Sequence, residues 1–161
     1  MARGVAMATQ QQFSYFKSIY DEENARQTSL QDRAKNYLSL ITFYSAFILF
    51  VVQNLKPETL TFKLVFVTTI ASMLAAFLLS LWSIQVSQYE VPSDPAEIIH
   101  HFGKAPQEDS DFFDARLVDY TAAYTHNSKV NDRKAFQLTL AGYLVLAGIF
   151  MHAIYILLKI I

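Results

Sequence analysis

The sequence predicts an all-α membrane protein with three transmembrane helices, and three observations predict it. Asn36–Leu55, Leu64–Tyr89 and Ala135–Leu158 carry no Asp, Glu, Lys or Arg. Each is about 20 residues or more, the length a helix rising about 1.5 Å per residue needs to cross a hydrocarbon core about 30 Å thick. Apolar residues make up 53% of the chain and charged residues 17%, and the charges gather outside those stretches. Helix breakers are equally segregated: after Gly4 there is neither glycine nor proline before Pro57, and none from Asp109 until Gly142.

The chain therefore divides, in order, into one membrane domain over residues 1–161. Residues 9–55 are expected as a cytoplasmic helix continuous with the first span. Its outer half carries a broken apolar stripe of Phe13, Phe16, Tyr20, Gln27, Leu30, Ala34 and Leu38, beside the acidic run Asp21, Glu22 and Glu23. Residues 64–89 form the second span. Residues 91–107, with Pro92, Pro95, Gly103 and Pro106, are a linker in which Asp94-Pro95-Ala96-Glu97 supplies the N-cap acid, N1 proline and N3 glutamate of one short helix. Residues 109–161 are a second cytoplasmic helix continuous with the third span, its apolar face marked by Phe112, Phe113, Leu117, Tyr120 and Tyr124. Both extensions start on the same side and run toward the bilayer, so they are expected to pair as a stalk, and the whole to form a homo-oligomeric bundle.

Arg26, Arg33 and Lys35 precede the first span and Lys129, Arg133 and Lys134 the third, against Lys56, Lys63 and Lys159 at the opposite ends. That asymmetry places the N-terminus and long loop in the cytoplasm. Met1–Gln12 lacks the apolar core and cleavage site of a signal peptide, which leaves the first span as its own insertion signal. The absence of cysteine excludes disulfides, thiolate metal sites and a cysteine nucleophile.

Within the second span Thr69, Ser72, Ala76, Ser80, Ser83 and Ser87 share one face. Helices in lipid associate through close approach and hydrogen bonding, so a small, hydroxyl-bearing stripe marks either a packing seam or a wet lumen. A weaker version, Ser39, Thr42, Ala46 and Gln53, lies on the first span, and Gln137, Ala141, Gly148, His152 and Tyr155 align on the third. His152 is the ionisable side chain within an apolar segment and is a pore or seam candidate, or a histidine reaching for the outer interface. His100 and His101 are adjacent, about 100° apart on a helix, and do not make a metal pair. There is no phosphate-binding glycine loop, zinc-binding His-Glu-x-x-His or Gly-x-Ser-x-Gly elbow, so neither an enzyme, a cofactor nor nucleic-acid binding is expected. Arg26, Arg33, Arg133 and Lys134 are the candidates for ligand binding or signal coupling; anionic lipid headgroups are the simpler partners for such residues.

Tyr20-Asp21-Glu22-Glu23-Asn24-Ala25-Arg26, with Leu30-Gln31-Asp32-Arg33-Ala34-Lys35, and later His126-Asn127-Ser128-Lys129-Val130-Asn131-Asp132-Arg133-Lys134-Ala135, lead into the first and last spans. In these motifs and in span layout the chain resembles the small bacterial membrane effectors of the SLATT and Pycsar type. The resemblance implies an anti-phage protein of the inner membrane that oligomerises and permeabilises the bilayer, triggered by a cyclic nucleotide or a cytoplasmic sensor protein. Many members carry a nucleotide-binding module, and none is recognisable here. A non-conducting scaffold that docks a soluble partner, or a regulated ion-channel subunit, would use the same architecture.

Overall fold

The computed structural model describes residues 9–55, 57–85, 87–93, 100 and 109–160. Its regular structure is helical: α1 is Gln10–Asn54, α2 Leu60–Ile84 and α3 Asp109–Ile160. All three are long and apolar enough to cross a membrane. The linker helix expected over Asp94–Gly103 falls almost entirely outside the described residues.

Local chemistry sets the helix ends. Thr9 and Gln12 form a reciprocal capping box at the start of α1: the Gln12 N–H donates to Thr9 Oγ1 (3.3 Å) and the Thr9 N–H to Gln12 Oε1 (2.9 Å). Thr59 caps α2, accepting from the Phe62 N–H, so the helix begins at Leu60, ahead of the charge-free run and taking in Lys63. It ends at Ile84, where Gln85 turns extended and its N–H donates to the Trp82 carbonyl (3.2 Å). Ser87 and Tyr89, read from the sequence as the end of the second span, therefore lie beyond the helix.

The chain groups into two compact units. One, polar, comprises Met1–Thr28 and Ser87–Asp132; the other, apolar, comprises Ser29–Val86 and Arg133–Ile161. In the polar unit Phe13 and Tyr20 of α1 meet Phe113 and Tyr120 of α3. The ring centroids are 5.8 Å apart for Phe13–Phe113, 5.6 Å for Phe13–Tyr120 and 5.3 Å for Tyr20–Tyr120, the last two edge-on. Ala123 closes this small core.

In the apolar unit the core is Ile41, Ile48, Met73, Ala76, Ala141 and Val145, with Leu30, Ala34 and Leu138 forming a second cluster. Large side chains such as Phe43, Leu49, Val67, Leu74, Trp82, Tyr143 and Phe150 point outward. That arrangement suits a helix group in lipid, where tails solvate large apolar side chains and small residues let backbones approach. The smaller stripe of the first span behaves differently: Ser39, Thr42, Ala46 and Gln53 are all exposed, and α1 buries Ile41, Ile48 and Val51 instead.

The residues turned inward follow steps of three and four. On α1 the series is Tyr20, Glu23, Gln27, Leu30, Ala34, Tyr37, Ile41, Tyr44, Ile48 and Val51; on α2 it is Phe62, Phe66, Thr69, Met73, Ala76, Ser80 and Ser83. This is the spacing of helices that pack knobs into holes at a shallow crossing angle. On α3 the same rhythm runs from Arg116 to Tyr155, with two four-residue steps in succession at Ala123, Asn127 and Asn131.

Two glycines make the approach of α3 possible. A Cβ on Gly148 would stand 2.8 Å from the Met73 methyl, and one on Gly142 would stand 2.7 Å from the Tyr37 hydroxyl and 3.3 Å from its ring carbon. The methionine end is flexible and the phenol is not. Gly142→Ala is thus expected to destabilise the protein by about 1–3 kcal/mol, as overpacking does. Adding Tyr37→Phe should recover part of the loss, which melting curves of the two variants in lipid nanodiscs will read; identical curves for both variants would place the strain elsewhere.

Candidate functional site

The two charged motifs that precede the first and third spans face each other in the polar unit. Glu23 is buried on α1, and Asn131, fully buried on α3, donates from Nδ2 to its carboxylate at 2.7 Å and to its backbone carbonyl at 3.1 Å. The Tyr89 hydroxyl donates to Asn131 Oδ1 at 2.6 Å, so the asparagine links the α1 carboxylate to the segment that leaves α2. Arg26 donates to Glu23 Oε1 at 3.2 Å and to Asp132 Oδ1 at 2.7 Å. The hydrogen bond from Asp132 holds the guanidinium still more firmly protonated, against a partial burial that works the other way; Glu23 adds to the stabilisation.

The segment Ser87–Ser93 has no regular secondary structure and is strapped along α3. Asn127 pairs with the backbone of Glu90 at both ends of its amide, accepting from the N–H at 2.9 Å and donating to the carbonyl at 2.9 Å. Arg116, also buried, donates to the Ser93 carbonyl at 2.6 Å and lies 5.5 Å from the Tyr120 ring centroid. The His126 ring stands between the Gln88 carbonyl, 3.0 Å from Nε2, and the Glu90 carboxylate, 3.6 Å from Nδ1. Buried polar side chains thus answer the backbone groups of a segment that has no ladder of its own. Beside the strap an open groove of about 530 Å³ is lined by Glu90, Leu117, Val118, Thr121, Thr125, His126 and Lys129. Its lining is mainly apolar, with His126, the Lys129 ammonium and the Glu90 carboxylate among it.

The four basic residues singled out from the sequence have different surroundings, Arg26 in the polar unit and Arg33, Arg133 and Lys134 in the apolar one. Arg26 is engaged as described. Arg33 and Arg133 are exposed and make no ion pair with a described residue. Lys134 is buried in the apolar unit and donates from Nζ to the Gln85 carbonyl at 3.4 Å, a cation set against the C-terminal carbonyls of α2.

Of the stripe on α2, Thr69, Ala76, Ser80 and Ser83 are buried and Ser72 is half-buried. The hydroxyls bond within their own helix: Thr69 to Val65 O (3.0 Å), Ser80 to Ala76 O (2.8 Å) and Ser83 to Ser80 O (2.8 Å). They contribute small size to the helix contact. His152 is fully buried, with Nδ1 3.0 Å from the Tyr44 hydroxyl and Nε2 without a hydrogen-bond partner. One turn on, the Tyr155 hydroxyl donates to the Leu55 carbonyl just beyond the end of α1, and Lys159 reaches Glu58 at 3.6 Å and the Phe62 ring at 5.1 Å. Among the described residues no cluster of His, Cys, Asp or Glu is placed to hold a metal.

No protein-family profile, curated protein or solved structure matches this chain.

Glu23, Asn127 and Asn131 lie within the two charged motifs but, like Tyr89, are not site candidates from the sequence, where Glu23 reads as one of three successive acids. The available signal was positional: Tyr20, Glu23, Gln27 and Leu30 keep the inward steps of three and four. Asn131→Ala is expected to cost about 1–3 kcal/mol because it strips the buried Glu23 carboxylate of a donor. Glu23→Leu combined with Asn131→Leu should be markedly less costly than the sum of the two single changes, measured by melting in nanodiscs; strict additivity would mean that the two side chains do not act as a pair.

Proposed function

We propose that this chain is a signal-operated effector of a bacterial inner membrane, belonging to an anti-phage system and acting by oligomerising and permeabilising the bilayer. The polar unit faces the cytoplasm in this reading, which the lysine and arginine asymmetry supports, and serves as a receiving stalk. One observation carries the reading: α1 and α3 each run without a break from the polar unit into the apolar unit. A signal that prefers one arrangement of the paired polar segments can then tilt or rotate both membrane helices together. In this reading the groove beside the strap, where Lys129 and His126 stand among apolar side chains and Glu90 beside His126, receives a nucleotide second messenger, or a cytoplasmic sensor protein occupies the same face. The outward small stripe of α1, Ser39, Thr42 and Ala46, gives copies of the chain a face for close approach.

A second reading rests on a specific observation. The hydroxyls of α2 are bonded to their own backbone, and the outward faces are dominated by large apolar side chains, so a single chain offers little polar lining for a pore. A non-conducting scaffold that docks a soluble partner needs no lining.

The readings separate in cells that carry the native operon. Arg26→Ala combined with Arg133→Ala should insert normally and reduce induced dye leakage to background, whereas Arg3→Ala should leave it unchanged. Wild-type protein that never causes leakage, even under phage challenge, while co-purifying with a soluble partner, would reject the effector in favour of the scaffold.

A further inference from the structure

We infer that His152 is a proton-operated latch in the packing of α1 against α3, a role that does not rest on the effector reading. Its ring is wholly buried in the apolar unit. Tyr44 and Phe47 of α1 meet it edge-on at centroid distances of 5.5 and 5.6 Å, and Tyr155 of α3 stacks at 6.2 Å. A phenylalanine or leucine would fill such a pocket with no polar atom to satisfy. The imidazole instead gives α3 a hydrogen bond to α1, through Nδ1 and the Tyr44 hydroxyl at 3.0 Å, and leaves Nε2 bare.

The neutral ring tolerates this. A hydroxyl can donate or accept, so Tyr44 serves Nδ1 in either tautomer, and one nitrogen is left unmet in both. Adding a proton changes the account, because the cation carries two N–H donors and the pocket offers one acceptor. The other titratable groups around it are already engaged. Tyr155, on α3, gives its hydroxyl to the Leu55 carbonyl, and Glu58, in the turn between α1 and α2, is paired with Lys159 at 3.6 Å. From α2 come Phe62 and Phe66, packed on Tyr155 at 5.9 and 6.1 Å. No carboxylate among the described residues stands opposite the ring. A protonated His152 therefore lacks both a counter-charge and a second acceptor, and is accommodated only if the ring leaves the pocket and the hold on Tyr44 is released. The packing is strongest with the ring neutral and weakens as pH falls.

The test uses the full chain in lipid nanodiscs, with histidine rings labelled with ¹⁵N, titrated from pH about 7.5 to about 5, the range in which histidine exchanges its proton. The His152 resonances are assigned by their loss in His152→Phe. The His152 ring nitrogens should move to imidazolium values within this window. Over the same window the wild-type melting temperature should fall by about 3 °C or more beyond that of His152→Phe. His152→Gln provides the same comparison if the phenylalanine variant does not fold. A ring that stays neutral throughout, or an acid-induced fall that persists in the variant, would overturn the latch; the second result would assign the effect to His100, His101, His126 or the carboxylates.

Discussion

Each of the three helices has one inward stripe, stepped by three and four residues, and the structure depends on satisfying that stripe while the surroundings change along the helix. In the polar unit water competes for every polar group, so aromatic rings supply contact area and buried polar side chains appear only with partners. In the apolar unit lipid tails solvate large apolar side chains as well as a protein core does, and small residues such as Ala76, Ser80 and Ala141 share the inward positions with Ile41, Ile48, Met73 and Leu138. On α3 the stripe passes from Tyr120, Asn127 and Asn131 through Lys134 to Ala141, Gly148 and His152 without losing its rhythm.

The polar members of the stripe set what the pairing can be. Glu23 is held by Asn131 and Arg26, and Asn131 in turn accepts from Tyr89. A slip of α1 along α3 by one turn would leave a buried carboxylate against apolar or mismatched groups, which is costlier than losing a contact between two aliphatic side chains. The network therefore fixes register, and it also ties the segment leaving α2 to both of the other helices. Two helices and the segment that follows α2 thus meet in named contacts: Glu23 on α1, Asn131 on α3, and Tyr89 beyond the end of α2.

Much of the fold was legible because membrane crossing requires long charge-free helices, and the absence of glycine and proline between Gly4 and Pro57 and between Asp109 and Gly142 marks the unbroken runs of α1 and of the first part of α3. On α2 the small side chains gathered on one face include the buried Thr69, Ala76, Ser80 and Ser83, as expected where close helix approach favours small size and lipid tails do not. The weaker stripe on α1, Ser39, Thr42, Ala46 and Gln53, is outward in the single chain, since size alone does not say whether a small residue approaches a helix of the same chain or of another. The polar network was hidden for a different reason. Asparagine and glutamate in a charged, water-facing stretch are ordinary, and only the pairing across about a hundred residues of chain distinguishes Glu23 from its neighbours Asp21 and Glu22. The strap of Ser87–Ser93 was hidden because its backbone is answered by side chains of α3 rather than by a pattern of its own.

The central claim is that α1 and α3 of a single chain are paired along the same stripe in both units. The chain has no cysteine, so introduced pairs report without background. Arg26→Cys with Asp132→Cys probes the polar unit, and Tyr44→Cys with His152→Cys the apolar unit, each treated in native membranes with a short bifunctional thiol reagent. Cross-links within one chain, at both levels and independent of expression level, are the expected result. Bridging between chains, or bridging at one level only, would contradict the account.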